Sequence, residues 1–286
     1  MSARLQMILS MALYGTLSVF VRNIPLTSSE VALFRAGIAL LCLLALQAAR
    51  GKLPRPGAMG RALPLLFLSG AAMGFNWILL FEAYRYTTVS VATLSYYFAP
   101  VIVTAACPLL FHERLTKRQL LCFAGATAGL VLVINVGALP GGGNHARGVA
   151  FGLAAAALYA SVILMNKGIR GISGIDRTLF QFAAAALVLL PYVAATTGIR
   201  LSGMDAKGWL CLLCVGVVHS GLAYVLYFSA LKALPGQEAA ILSYIDPLVA
   251  VAISLTVLGE AVTALQLAGG GMILAFTLFN EIGGST

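Results

Sequence analysis

The sequence predicts an all-α integral membrane protein: ten transmembrane helices arranged as two five-helix inverted repeats around a central cavity. Three observations carry that prediction. Of 286 residues, 60% are hydrophobic and only 9% are charged, whereas a soluble domain carries roughly a quarter charged residues. So few charges cannot clothe a surface in water, and lipid must be the outer solvent. The apolar residues fall in ten runs of about 20, the length a helix needs to cross the hydrocarbon core. The second half of the chain also repeats the first.

The first span, 4–22, follows Arg4 and resembles a cleavable leader. However, Ala12-Leu13-Tyr14 recurs as Ala157-Leu158-Tyr159 in the sixth span, 145 residues on, and a leader has no reason to match a mature helix. The other spans are 30–49, 63–85, 89–111, 117–137, 147–167, 176–197, 208–231, 237–257 and 262–281, joined by short connections rich in Pro, Gly, Ser and Thr. No gap leaves room for a soluble domain.

The net charge of +9 comes from 18 Lys and Arg against 9 Asp and Glu. The basic residues sit between apolar runs, as in Arg50, Lys52, Arg55 and Arg61, with no basic stripe interleaved with exposed aromatics, so nucleic acid is not a partner. With the N-terminus in the cytoplasm, inner loops hold twelve Lys and Arg and outer loops five. By the positive-inside rule both termini then face the cytoplasm of a bacterial inner-membrane protein. All five cysteines lie in apolar segments, so no disulfide framework is expected; Cys211 and Cys214 form a CxxC without a second pair and read as small packing residues.

At a fixed offset of 147 residues, Gly74 meets Gly221, Phe81 meets Phe228, Tyr97 meets Tyr244, Pro100 meets Pro247, Glu113 meets Glu260, Thr116 meets Thr263 and Gln119 meets Gln266. Chance aligns apolar residues easily in membrane helices, but not Pro, Glu, Thr and Gln at one offset. The predicted units are residues 1–138, a Gly-rich linker over 139–147, and residues 148–286. Five spans per unit put the second in the membrane upside down. The loop bearing Glu113 is basic while that bearing Glu260 has no Lys or Arg, as inversion requires. Inverted repeats are an architecture of secondary transporters, with the site near the midplane.

Pro247, Gly259-Glu260, Thr263, Gln266 and Gly269, with Pro100, Glu113, Thr116, Gln119 and Gly125 in the first half, resemble the two repeats of the EamA-type transporters of the drug/metabolite transporter superfamily. Within that family the chain is most similar to bacterial amino-acid exporters of the YddG type, described as exporting aromatic amino acids. The resemblance implies ten helices, cytoplasmic termini and a substrate cavity shared by both halves. These motif residues stand at helix ends and packing turns, so they speak for the fold more than for the cargo.

Polar side chains at membrane depth are costly and mark candidate sites. Counting in from the span ends places Tyr14, Asn76, Trp77, Tyr96, Tyr97, Tyr159, His219, Tyr224, Tyr244 and Asp246 near the midplane. Nearly all lie on spans 1, 3, 4, 6, 8 and 9, three inversion-related pairs, while spans 2, 5, 7 and 10 have apolar middles. Tyr and Trp offer apolar faces with a polar handle, suited to amphipathic cargo or, alternatively, to packing between helices. Asp246 suits a substrate ammonium, a proton, or a hydrogen bond to a helix end. His219 suits a proton relay or a satisfied core position. Pro100 and Pro247 free backbone carbonyls and mark gating kinks. Arg35 and Glu82, both in an outer third, read as an ion pair, with binding of a substrate carboxylate by Arg35 the alternative.

No metal or cofactor site is expected. The histidines at 112, 145 and 219 lack metal-ligand spacing, and neither a nucleophile elbow nor a phosphate-binding loop is present. The expectation is a non-enzyme: an exporter of amino acids or similar amphipathic metabolites, working by alternating access, as a monomer or weak dimer in lipid, with a proton as a possible co-substrate. The competing readings are an exporter of other cargo, such as lipophilic drugs or nucleotide-sugars, and an integral-membrane lipid-modifying enzyme.

Overall fold

In a computed structural model, the chain is described over residues 1–52, 60, 62–111, 116–133, 143–169, 171–199, 201, 203–234 and 236–283. Residues 139–142 of the expected linker lie outside the described residues, as do His112 and Glu113, while 143–147 belong to the helix Gly143–Gly168.

The described residues form thirteen α-helices and one π segment, without strands. In chain order the helices are α1 (Ala3–Val21), α2 (Ser28–Ala49), α3 (Leu63–Tyr86), α4 (Val89–Tyr96), α5 (Ala99–Phe111), α6 (Lys117–Val133) and α7 (Gly143–Gly168). They continue as α8 (Gly174–Thr196), α9 (Ala206–Leu213), α10 (Ala223–Ala233), α11 (Gly236–Ser243), α12 (Ile245–Thr256) and α13 (Ala264–Gly283), with the π segment Cys214–Leu222 joining α9 to α10. Seven helical stretches are long and apolar enough to cross a membrane, among them Val89–Ala106 and Ala206–Leu231; Ile241–Thr256 and Ala264–Asn280 are shorter apolar helices. Large apolar side chains such as Leu41, Val131 and Leu210 are about two-thirds exposed. In water such faces would drive association, whereas lipid solvates them.

Sequence-local chemistry sets the helix starts. Thr27 and Glu30 form a capping box at α2: Thr27 Oγ1 accepts from the Glu30 amide and Glu30 Oε2 from the Thr27 amide at 3.0 Å. Ser173 caps α8 in the same way, accepting from the Asp176 amide. The repeated Thr-x-x-Gln is also a cap. The Gln119 side chain accepts from the Thr116 amide at 2.8 Å before α6, and Gln266 from the Thr263 amide at 3.0 Å before α13.

Packing partners exchange in step with the sequence repeat. α3 packs on α7 and α1 on α10; α4 and α5 pack on α7, and α12 on α1; α4 meets α12, and α6 lies along α13. The α6–α13 contact is close because Gly129 and Gly269 face each other. A β-carbon at 129 would stand 2.6 Å from the Gly269 carbonyl oxygen. Likewise α2 approaches the π segment at Gly216, where a β-carbon would meet the Ile38 side chain at 2.5 Å.

Candidate functional site

Three interruptions of regular helix shape the middle of the molecule. α4 ends at Tyr96 and α5 begins at Ala99; α11 ends at Ser243 and α12 begins at Ile245. Each break stands a few residues ahead of a proline, Pro100 or Pro247. A proline lacks the N–H that would bond the carbonyl four residues back and its ring crowds that turn. Tyr97 and Tyr244, equivalent in the repeat, occupy the two breaks. The third interruption is the π segment, where the Ser220 hydroxyl donates to the Val215 carbonyl at 2.9 Å and the Ala223 amide to the Val218 carbonyl. Such bulges recur at functional sites because they turn side chains out of helical register.

Around these breaks aromatic residues pack in two groups. Tyr14 on α1 meets Tyr224 on α10 edge to face, with centroids 5.6 Å apart, and Tyr224 meets Phe182 at 5.1 Å. Phe182 touches Trp77 at 5.4 Å. On the other side Tyr96 meets Tyr97 at 6.1 Å and Tyr159 at 5.3 Å. The Tyr97 hydroxyl donates to Asp246 Oδ2 at 2.7 Å, tying the break in one half to the start of α12 in the other. The Tyr14 hydroxyl is buried without a hydrogen-bond partner.

Arg35 lies against the first of these groups, only 4% exposed. Its Nε donates to Ser220 Oγ at 2.8 Å, and its guanidinium carbon stands 4.6 Å from the Trp77 ring centre and 5.8 Å from that of Phe81.

The structure gives several of the candidate residues partners of their own. Arg35 and Glu82 do not pair: Glu82 points along its own helix to Arg85 at 3.5 Å, the neighbour three residues on, while Arg35 turns across to the π segment. Asn76 is 1% exposed and donates to the Ala155 carbonyl at 2.6 Å, which fixes α3 to α7 and leaves it inside a helix interface. His219 is equally enclosed. Its Nε2 lies 3.0 Å from Thr16 Oγ1, its Nδ1 3.2 Å from the Cys214 carbonyl, and Phe20 covers the ring at 4.7 Å. Both nitrogens are used within the protein, in keeping with a post between α1 and the π segment. α2 and α8 also bury polar side chains, Arg35 and Gln181.

Sequence reasoning passed over Tyr84, Ser220 and the cavity at one end of the bundle. That cavity, about 740 Å³, is lined by Arg22, Glu30, Phe81, Tyr84 and Arg85 among others, at the end of α1 and α3 and the start of α2. Phe81 and Tyr84 both line this cavity, and Phe81 also stands beside the Arg35 guanidinium. Beside it, Arg22 bonds the Tyr84 carbonyl at 2.7 Å and the Thr87 carbonyl at 3.0 Å and pairs with Glu260. The other Glu260 oxygen accepts from the Val89 amide at 2.8 Å and from the Ser254 hydroxyl. A carboxylate at the start of α4 complements the helix dipole. The repeat offset singles out Glu260 and Glu113, and the partners of Glu260 give a physical reason for an acid there.

Comparison with known proteins bears on this arrangement. The model of the EamA-like transporter family matches residues 1–135 and 146–281. An uncharacterized transporter of Archaeoglobus fulgidus is 30% identical over 272 residues, spanning 95% of this chain and 93% of its own. The uncharacterized transporter YxxF of Bacillus subtilis is 27% identical over 278 residues, spanning 96% and 88%. A protein of Salmonella typhimurium named a probable amino-acid metabolite efflux pump is 29% identical over 182 residues, 60% of each chain. One solved structure superposes with a TM-score of 0.66 at 19% identity, covering 98% of this chain and 96% of that one, a likeness of fold.

Proposed function

Because the chain belongs to the EamA-like transporter family, and is thereby a multi-pass membrane protein that moves small molecules, we propose that it exports amino acids, aromatic ones among them, across the bacterial inner membrane by alternating access. The observation that carries this reading is the pair of charged residues held on aromatic side chains, Arg35 on Trp77 and Asp246 on Tyr97. Tyrosine and tryptophan faces accept an apolar side chain, and the flanking charges suit a zwitterion. Among the described residues packed on these aromatic groups Arg35 is the one guanidinium, too little for phosphorylated cargo, which calls for several basic groups. The name carried by the Salmonella relative agrees with the class of cargo.

On this reading α4 with α5, α9 with α10, and α11 with α12 are each one interrupted span, which brings the total to ten. The units 1–138 and 148–286 are inverted repeats joined by residues 139–147, both termini lie in the cytoplasm, and the cavity beside Tyr84 is the outer mouth. The exchange of packing partners between the halves supports the inversion. Alternating access follows from two such halves rocking about a midplane site, with the breaks before Pro100 and Pro247 as bending points. The protein works as a monomer or weak dimer.

The test is flux into proteoliposomes of purified protein, with labelled phenylalanine, tyrosine, leucine and lysine, with and without a pH gradient. Saturable flux of particular amino acids is the expected result, and its response to the gradient separates proton-coupled from facilitated transport. Absence of flux for the whole panel, from folded monodisperse protein, overturns the assignment.

A further inference from the structure

We propose that Arg35 is the carboxylate-binding group of the transport site and selects cargo with an anionic pole; this rests on the amino-acid reading above. Burying a guanidinium is costly, and a fold that needs only a tether between helices has cheaper means. Nε is committed to Ser220, itself held by the Val215 carbonyl in the π segment, and the flat face rests on Trp77. The described ion pairs are Arg4–Glu238, Arg22–Glu260 and Glu82–Arg85, so no described carboxylate neutralises Arg35. The end-on pair of terminal nitrogens, the edge that takes a carboxylate bidentately, is left for a ligand.

The second half of the molecule supplies an internal comparison. Arg35 follows its helix cap Thr27 by as many residues as Gln181 follows Ser173. Gln181 is also 4% exposed and also bonds a serine across a helix interface, donating to Ser69 Oγ at 2.8 Å, with a second bond to Asn166 Oδ1 at 2.9 Å. A neutral amide thus fulfils the packing duty of this position. The charge at 35 is surplus to packing, and it rests on the face of Trp77 with Phe81 beside it. An α-amino acid, with its carboxylate toward Arg35 and its ammonium toward Asp246, matches both poles.

The experiment measures binding of L-phenylalanine and of L-phenylalaninol, which keeps ring and ammonium but lacks the carboxylate, to full-length protein in detergent. Wild type and the variants Arg35→Gln and Arg35→Lys are compared. Wild type is expected to prefer phenylalanine by about tenfold or more, the range of a charge-assisted hydrogen-bond pair. Arg35→Gln, the neutral solution already used at 181, should lose that preference by weakening phenylalanine alone, and Arg35→Lys should recover part of it. An unchanged preference in folded Arg35→Gln, or equal weakening of both ligands, overturns the assignment of Arg35 while leaving amino-acid transport standing. If wild type binds neither ligand nor any other amino acid, the amino-acid reading fails, and this proposal with it.

Discussion

Replacing Asp246 by Asn tests the cationic end of the cargo. The change keeps side-chain volume and leaves an amide oxygen where Oδ2 accepts from the Tyr97 hydroxyl at 2.7 Å. Asn can therefore preserve the tie between the α4–α5 break and α12. A neutral acceptor contributes about 0.5–1.5 kcal/mol where a charged one contributes about 1.5–3, so the fold should lose roughly 1 kcal/mol and remain native. Cargo loses more. An ammonium bound to this carboxylate forfeits a charge-assisted contact of about 1.5–3 kcal/mol, equivalent to a rise of about 10- to 150-fold in KM for a zwitterion. Proteoliposome flux over a range of phenylalanine concentrations gives the KM, and size-exclusion and thermal profiles of the same preparation establish folding. A KM equal to that of wild type in folded Asp246→Asn removes the carboxylate from cargo binding and sinks the reasoning.

Three further expectations concern the frame around the site. Gly129→Ala would place a β-carbon 2.6 Å from the Gly269 carbonyl and 2.9 Å from Met272, forcing α6 from α13 at a cost of about 1–3 kcal/mol, whereas Gly271→Ala, with nothing within 4 Å, should be neutral or stabilising. Thermal unfolding in one detergent compares them, and equal midpoints would contradict the packing argument. Glu260→Ala strips Arg22 and the Val89 amide of their acceptor and should destabilise by about 1.5–3 kcal/mol, read as a lowered denaturation midpoint. Tyr14→Phe removes a buried hydroxyl without a partner, so stability should hold or rise by up to about 1 kcal/mol; a fall of that size would mean the hydroxyl has a partner.

What the sequence made legible and what it concealed divide along physical lines. Apolar runs announce helices in lipid because every backbone group must be satisfied within its own segment, and Pro100 and Pro247 announce breaks because a missing N–H is a local fact. Thr-x-x-Gln is legible for the same reason: both cap partners lie within four residues. The π segment carries no comparable mark, since an extra residue in a turn of Val, Gly, His and Ser leaves composition unchanged. Arg35 was misjudged because depth along the membrane is readable from sequence while rotation about the helix axis is not. Depth alone offers Glu82, yet α2 turns Arg35 toward Ser220 on a helix 185 positions away. The Glu82–Arg85 contact is a three-residue spacing within one helix and is readable from the sequence.

The tether of α4 has a mechanical meaning. Glu260 and Arg22 clamp its first turn, the break at Tyr97 frees its last, and Tyr97 reaches from that loose end to Asp246. A rod pinned at the tip and cut at the base is a lever with the ligand pole in its grip. On the proposed reading, an ammonium that draws Asp246 away from Tyr97 would slacken the link between α4 and α12, so that loading would lower the work of parting them. Thermodynamic reciprocity then demands the converse. A crosslink that welds α4 to α12 should loosen the hold on cargo as well as arrest its passage.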